Sequence, residues 1–229
     1  MRHMPRRKKT RTTSTDYARA APLEGARVSK ATRKMQMLRR DVAAEAARIM
    51  ATESQRNFRA AKQKAAARIG VNSRLALPSN REIETALRAY QDLYGGEEHD
   101  ATLVALREVA LKVMRALENF SPRLVGQVLD GTADQFSRIS LHVFSDPPEN
   151  ILFHLDERGI NFRQEERRIR WHDGNTKRLQ LLVTEADDRA IELILFELKD
   201  LRQAPPSPVD GQPQRRAPIA EVECLLNEI

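Results

Sequence analysis

The apolar residues change their prevailing period at "ENFSPR" (residues 118–123), and that switch leaves few architectures open. Before it they recur about every 3.6 residues, as on one side of a helix; after it they alternate, as on a half-buried strand. Helices gathered in one half and strands in the other describe an α+β protein, because an α/β fold would interleave them. With 229 residues, 41% of them apolar, the chain can bury one substantial core or two small ones.

The helical half divides at its punctuation. Val28, Met35, Val42 and Ile49 recur every seven residues with Ala31 and Leu38 between them, and Glu45 interrupts the stripe. A stripe this narrow packs a helix on its own domain or pairs two copies as a homodimeric coiled coil through the N-terminal helix; the shortage of clean heptads favours the first. "ESQRNFRAAKQKAAARIG" continues as helix, capped by Gly70. Ser79 and Glu82 have capping-box spacing ahead of a helix with Ile83, Leu87, Tyr90 and Leu93 or Tyr94 on its apolar face, ended by Gly95 and Gly96. Asp100 is placed to cap a further helix that buries Leu103, Leu106, Val109 or Ala110, Val113 and Leu117.

Downstream, "RLVGQVLDG" and "SRISLHVFS" read as strands, and Pro147 and Pro148 open a helix through Ile151, Leu152 and Leu155 that stops at Gly159. "INFRQEERRIRW", "KRLQLLVTEA" and "AIELILFEL" are three further strands, separated by "HDGNT" and "DDR". The proline-rich "RQAPPSPVDGQPQRRAP" holds no regular structure, and its rigid residues suit a wall over the sheet better than a loose tether. A short helix closes the chain with Ile219, Val222, Leu225 and Leu226 inward and Cys224 on its buried side or edge. The expected organisation is a basic mobile tail (1–27), a helical region (28–119), a sheet domain (120–200), and a loop with the last helix (201–229).

Charge is distributed unevenly. Residues 1–74 hold 20 of the 39 Lys/Arg but only 5 of the 32 Asp/Glu, an excess of +15, and the remainder carries −8. Contact with a polyanion such as RNA is therefore expected in the N-terminal arm, at Arg6, Arg7, Lys8, Lys9, Arg33, Lys34, Arg39 and Arg40, and not across the whole chain. Only Tyr17 and Phe58 supply aromatic rings there, which argues against base stacking in the arm. No apolar run approaches a membrane span, and the basic start lacks the hydrophobic block of a secretory signal, although it shares the Arg/Ser/Thr richness of organelle transit peptides. The one cysteine can close no internal disulfide, which fits the cytoplasm. His99, His154 and His172 have no ligand spacing, so no metal site is expected.

The stretch "LDGTADQFSRISLHVFSD" (129–146) sets a Gly-Thr turn before an alternating strand, in the order helices, strand, turn, strand, helix, strands. Over residues 121–200 this resembles the polymerase-beta-like nucleotidyltransferase superfamily, and looks like an uncharacterised bacterial branch of it with degraded catalytic acids. The superfamily motif is a Gly-Ser pair followed, on the next strand, by two aspartates flanking one apolar residue. Gly131 and Thr132 match the pair, and Ser137 to Val143 matches the strand. The resemblance implies that those aspartates and a third acid on a later strand bind the magnesium ions that carry a nucleoside triphosphate. Here Arg138 and Ser140 stand at the aspartate positions, with Glu192, ahead of Glu197, as the candidate third acid.

A guanidinium and a hydroxyl cannot replace anionic magnesium ligands, so the expected function is a nucleotidyltransferase-like protein without transfer chemistry and without a cofactor. It would bind a nucleotide, RNA or another phosphate-bearing partner through Gly131, Thr132, Arg138, Ser140, His142 and Glu192, Arg138 gripping a phosphate directly. The alternatives are an active, magnesium-dependent nucleotidyltransferase using Glu192 with Asp130, Asp134 or Asp146, an assembly protein built on the long helix, and an Arg138–Glu192 ion pair that binds nothing. His142, with no acid or nucleophile beside it in sequence, reads as structural.

Overall fold

The computed structural model describes residues 30–53, 55 and 57–227, so Arg6, Arg7, Lys8 and Lys9 lie outside the described residues. The fold is α+β. Helices α1 (Lys30–Thr52), α2 (Phe58–Ile69), α3 (Asn80–Tyr94) and α4 (Gly96–Ala116) come first. They are followed by β1 (Arg123–Val125), α5 (Gln127–Asp130), β2 (Ile139–Phe144), α6 (Asn150–Glu157), β3 (Arg163–Arg170), β4 (Thr176–Ala186), β5 (Arg189–Phe196) and α7 (Ile219–Asn227). Among the described residues no helix is long and apolar enough to cross a membrane.

Helices α1, α2 and α3 share an alanine-rich core. The seven-residue stripe becomes a buried face only from Val42 onward, where Val42, Ala46, Ala47 and Ile49 are fully covered within this unit; Met35 and Leu38 are half-exposed and Ala31 is exposed. Helix α2 does not continue α1. Asn57 starts it afresh, its Oδ1 accepting from the Arg59 and Ala60 amides at 2.8 and 3.2 Å, a cap that competes with helix continuation at this position. Glu45, the residue that interrupts the stripe, accepts hydrogen bonds from Arg48 and from Arg68 of α2 and so ties the two helices together. The Arg48 hydrogen bond, with that of Arg68, outweighs burial and brings its carboxyl pKa down to about 2. The capping box of Ser79 and Glu82 is formed as its spacing predicts.

Helix α3 ends at Tyr94 with Gly95 as its C-cap, as its sequence predicts, but Asp100 does not cap the next helix: α4 begins at Gly96, and Asp100 lies inside it. A Cβ on Gly95 would stand 2.6 Å from the Gln91 carbonyl and 2.7 Å from the Cβ of His99, so the corner between the helices excludes any side chain there. The predicted face of α3 also shifts. Leu93 and Tyr94 are exposed while Gln91 is buried, its Nε2 donating to the Thr132 carbonyl at 3.2 Å.

The five strands form one sheet in the order β1-β2-β5-β4-β3, antiparallel except for the parallel pair β2–β5. Of "RLVGQVLDG" only Arg123–Val125 is strand; Gly126, at φ 73, turns the chain into α5. Because strand residues alternate, Leu124, Ile139, Leu141, Val143, Ile191, Leu193 and Leu195 share one face, buried under α4, α5, α6 and α7. Helix α4 thus joins the core of the sheet and not that of α1–α3. Cys224 is exposed, not inward, since α7 buries Val222 and partly covers Ile219, Leu225 and Leu226 instead.

The opposite face carries a smaller apolar cluster of Phe144, Trp171, Leu181, Ile194 and Phe196 beside the polar residues of β2 and β5. The proline-rich segment crosses this side. As its composition predicts, residues 203–218 form no helix or strand, and the segment is pinned at isolated points: Pro206 pairs with Pro213, Ala217 pairs with Leu124, and Asn80 at the start of α3 donates to the Pro208 carbonyl at 2.8 Å.

Candidate functional site

The parallel register of β2 and β5 sets Ser140 beside Glu192, and alternation brings Arg138, Ser140 and His142 to that same face. Glu192 is 7% exposed. Its Oε1 accepts from Arg138 Nη1 at 2.8 Å, and its Oε2 accepts from Arg167 Nη2 at 3.1 Å and from the Ser140 hydroxyl at 3.3 Å. Burial works to raise its pKa, but the hydrogen bond from Arg138 and the charge and hydrogen bond of Arg167 outweigh it, so the carboxyl is held below its ordinary value and stays ionised at neutral pH. Arg138 is presented by the turn before β2, where Asp134 Oδ1 accepts from the Phe136 amide at 3.0 Å and the Ser137 hydroxyl at 2.7 Å.

One turn of the pleat further on, His142 is 2% exposed. Its Nδ1 accepts from Nε of Arg216 at 2.9 Å, which places the ring proton on Nε2. Burial first, and then the charges of Arg216 and Arg167, push its pKa well below 6.5, so the imidazole is neutral. Arg216, from the end of the proline-rich segment, also donates to the Asp200 carbonyl at 2.7 Å and lies 5.0 Å over the rings of Phe144 and Phe196. Burial brings its pKa down to about 10, which leaves it charged at neutral pH. His142 is thus a buried acceptor that anchors the segment through Arg216.

These residues floor a cleft of about 820 Å³ between the sheet, α2, the start of α3 and the proline-rich segment. Arg138, Ser140, His142 and Glu192 line it; Gly131 and Thr132 do not. Thr132 is buried, and the Gly131 carbonyl accepts from His99 Nε2 at 3.1 Å. The glycine that does reach the cleft is Gly126, followed by Gln127, at the turn from β1 into α5. It stands farther upstream of Arg138 than Gly131 does, and the reading of "RLVGQVLDG" as one strand hid it. The cleft also gathers Arg59 and Lys62 from α2 and Arg167 and Arg170 from β3, none of which the sequence singled out. Burial lowers the pKa of Lys62, with Arg39 of α1 near enough to lower it further. Of the expected arm residues within the structure, Arg33, Lys34, Arg39 and Arg40 are exposed on α1, and Arg39 pairs with Glu82 at 3.4 Å.

The chain matches no family model, no curated protein and no solved structure. Its chemistry is therefore read from the cleft alone. The donor set does not fit a magnesium pair: both Glu192 oxygens are occupied by guanidinium groups, and a hydroxyl is the next oxygen. Asp130 lines an adjoining cavity across Gly126 and Gln127 and not the cleft itself, Asp134 is spent on its own turn, and Asp146 Oδ1 accepts from the Leu198 amide. Among the described residues no three of His, Cys, Asp and Glu cluster to hold a metal.

Proposed function

We propose that the chain is a nucleotidyltransferase-like protein that carries out no transfer and binds a nucleotide, RNA or another phosphate-bearing ligand in the cleft. The observation that carries the reading is the charge of the lining: Arg59, Lys62, Arg138, Arg167 and Arg170 surround a single carboxylate, Glu192. A concave, partly apolar site with a cationic rim favours a ligand that has both a flat apolar part and phosphates. Ile169, Leu179, Ile194 and Phe196 supply the apolar floor. Arg138 takes over the task that a metal performs in the superfamily, neutralising phosphate oxygens, which compete with the Glu192 carboxylate for its guanidinium.

Support for the superfamily scaffold comes from the juxtaposition of the motif strand with the strand of the third acid. Ser140 and Glu192 are register partners, and Gly126 with Gln127 supplies a turn at the cleft edge in place of the Gly131-Thr132 pair. The test is fluorescence anisotropy with a labelled adenosine triphosphate analogue. Saturable binding that falls with salt and is weakened about tenfold by Arg138→Ala or Arg167→Ala supports the reading. Magnesium-dependent incorporation of labelled nucleotide into any acceptor overturns it.

A further inference from the structure

Phe136 is 60% exposed, an unusual position for a ring whose turn is held so firmly. Besides the two bonds to Asp134 Oδ1, the Asp134 amide donates to the Ser137 hydroxyl at 2.9 Å, and Arg189 Nη1 of β5 donates to the Gln135 carbonyl at 2.9 Å. The ring is thus presented to solvent by a turn whose backbone is already ordered, and a ligand that covers it pays little for fixing it. It borders an open hollow of about 390 Å³ together with Arg138, Asp188 and Arg189. Arg138 lines both this hollow and the cleft, so a phosphate held by Arg138 lies at the boundary between them.

An exposed aromatic ring flanked by guanidinium groups is the combination on which nucleobases stack, while a neighbouring cation takes the backbone. Two guanidinium groups, that of Arg138 shared with Glu192 and that of Arg189 beside Asp188, stand at the hollow to meet a phosphate. We infer that the ligand is a single-stranded polynucleotide: its backbone leaves the cleft past Arg138, and the next base stacks on Phe136 beside Arg189. This rests on the reading that phosphates bind at Arg138, and adds to it that one nucleotide does not fill the site.

The experiment uses the full chain, a labelled oligoadenylate of about ten nucleotides, within the length range of single-strand sites, and inorganic polyphosphate of matching phosphate count. The oligoadenylate is expected to bind more tightly than polyphosphate. Phe136→Ala should weaken it roughly 5- to 150-fold, the range for loss of one stacked base, while leaving polyphosphate binding unchanged. Phe136→Trp should restore affinity, with fluorescence quenched by oligoadenylate and not by polyphosphate. An unchanged thermal transition in Phe136→Ala shows that the fold is intact. Equal binding of the two polymers, or an oligoadenylate affinity indifferent to Phe136→Ala, overturns the inference and leaves the phosphate reading standing. Binding of neither polymer removes both.

Discussion

Replacing Glu192 by glutamine separates a binding cleft from a catalytic one by the sign of its effect. The carboxylate side chain is 9% exposed, but Arg138 and Arg167 remain 36% and 43% exposed. Removing one partner of a fully buried pair costs about 3–5 kcal/mol. Guanidinium groups this open to water recover much of that, and glutamine keeps one acceptor, so a loss of about 1–2 kcal/mol is expected, or roughly 2–8 °C in Tm for a chain of this size. Ligand affinity moves the other way. At an effective dielectric constant of about 20, a carboxylate about 7 Å from a bound phosphate repels it by roughly 2 kcal/mol; solvent screening leaves about 1, so the variant should bind a triphosphate roughly fivefold more tightly. Melting curves with and without ligand, and anisotropy titrations at two salt concentrations, measure both quantities. The pH dependence supplies a control. The folded pKa of Glu192 lies below its ordinary value of 4.5, so its contribution is present above that pH and is lost as pH falls through the folded pKa; the glutamine variant should lack that part of the acid slope. A variant that binds triphosphate more weakly than the parent refutes the reasoning, because it makes the carboxylate a ligand holder and not a competitor.

Three other outcomes follow from the geometry. The folded pKa of His142 lies well below 6.5, so the stability it contributes is complete above that pH and declines below it by up to about 1.4 kcal/mol per pH unit until the folded pKa is reached; His142→Gln should flatten this slope in urea unfolding followed across pH. Ser79→Ala removes the hydroxyl that caps α3 and should cost about 1 kcal/mol in the same assay, with binding unchanged. Ile49→Ala, at a fully buried site among α1–α3, should cost about 2–5 kcal/mol without altering the sedimentation coefficient, whereas Met35→Glu on the half-exposed part of the stripe should cost little; a dimer dissociated by either would show that the stripe has a second partner.

What could be read from the sequence was whatever depends on neighbours along the chain. The switch of period at "ENFSPR", the caps at Ser79 and Gly70, and the inward and outward sides of "SRISLHVF" all rest on spacings that a helix or strand fixes by itself. Errors arose where a local signal had more than one structural outcome. Asp100 reads as a cap but lies inside α4; "RLVGQVLDG" reads as a strand but turns at Gly126; Leu93 and Tyr94 read as core but are exposed, Tyr94 packing on Tyr90. Only the tertiary structure could bring Glu192 to Ser140, Arg167 to Glu192 and Arg216 to His142, because these pairings depend on strand order and on where the proline-rich segment crosses the sheet. The sequence determined which side chains share a face; folding decided which faces meet, since register and packing are set by the whole core at once and not by any stretch within it.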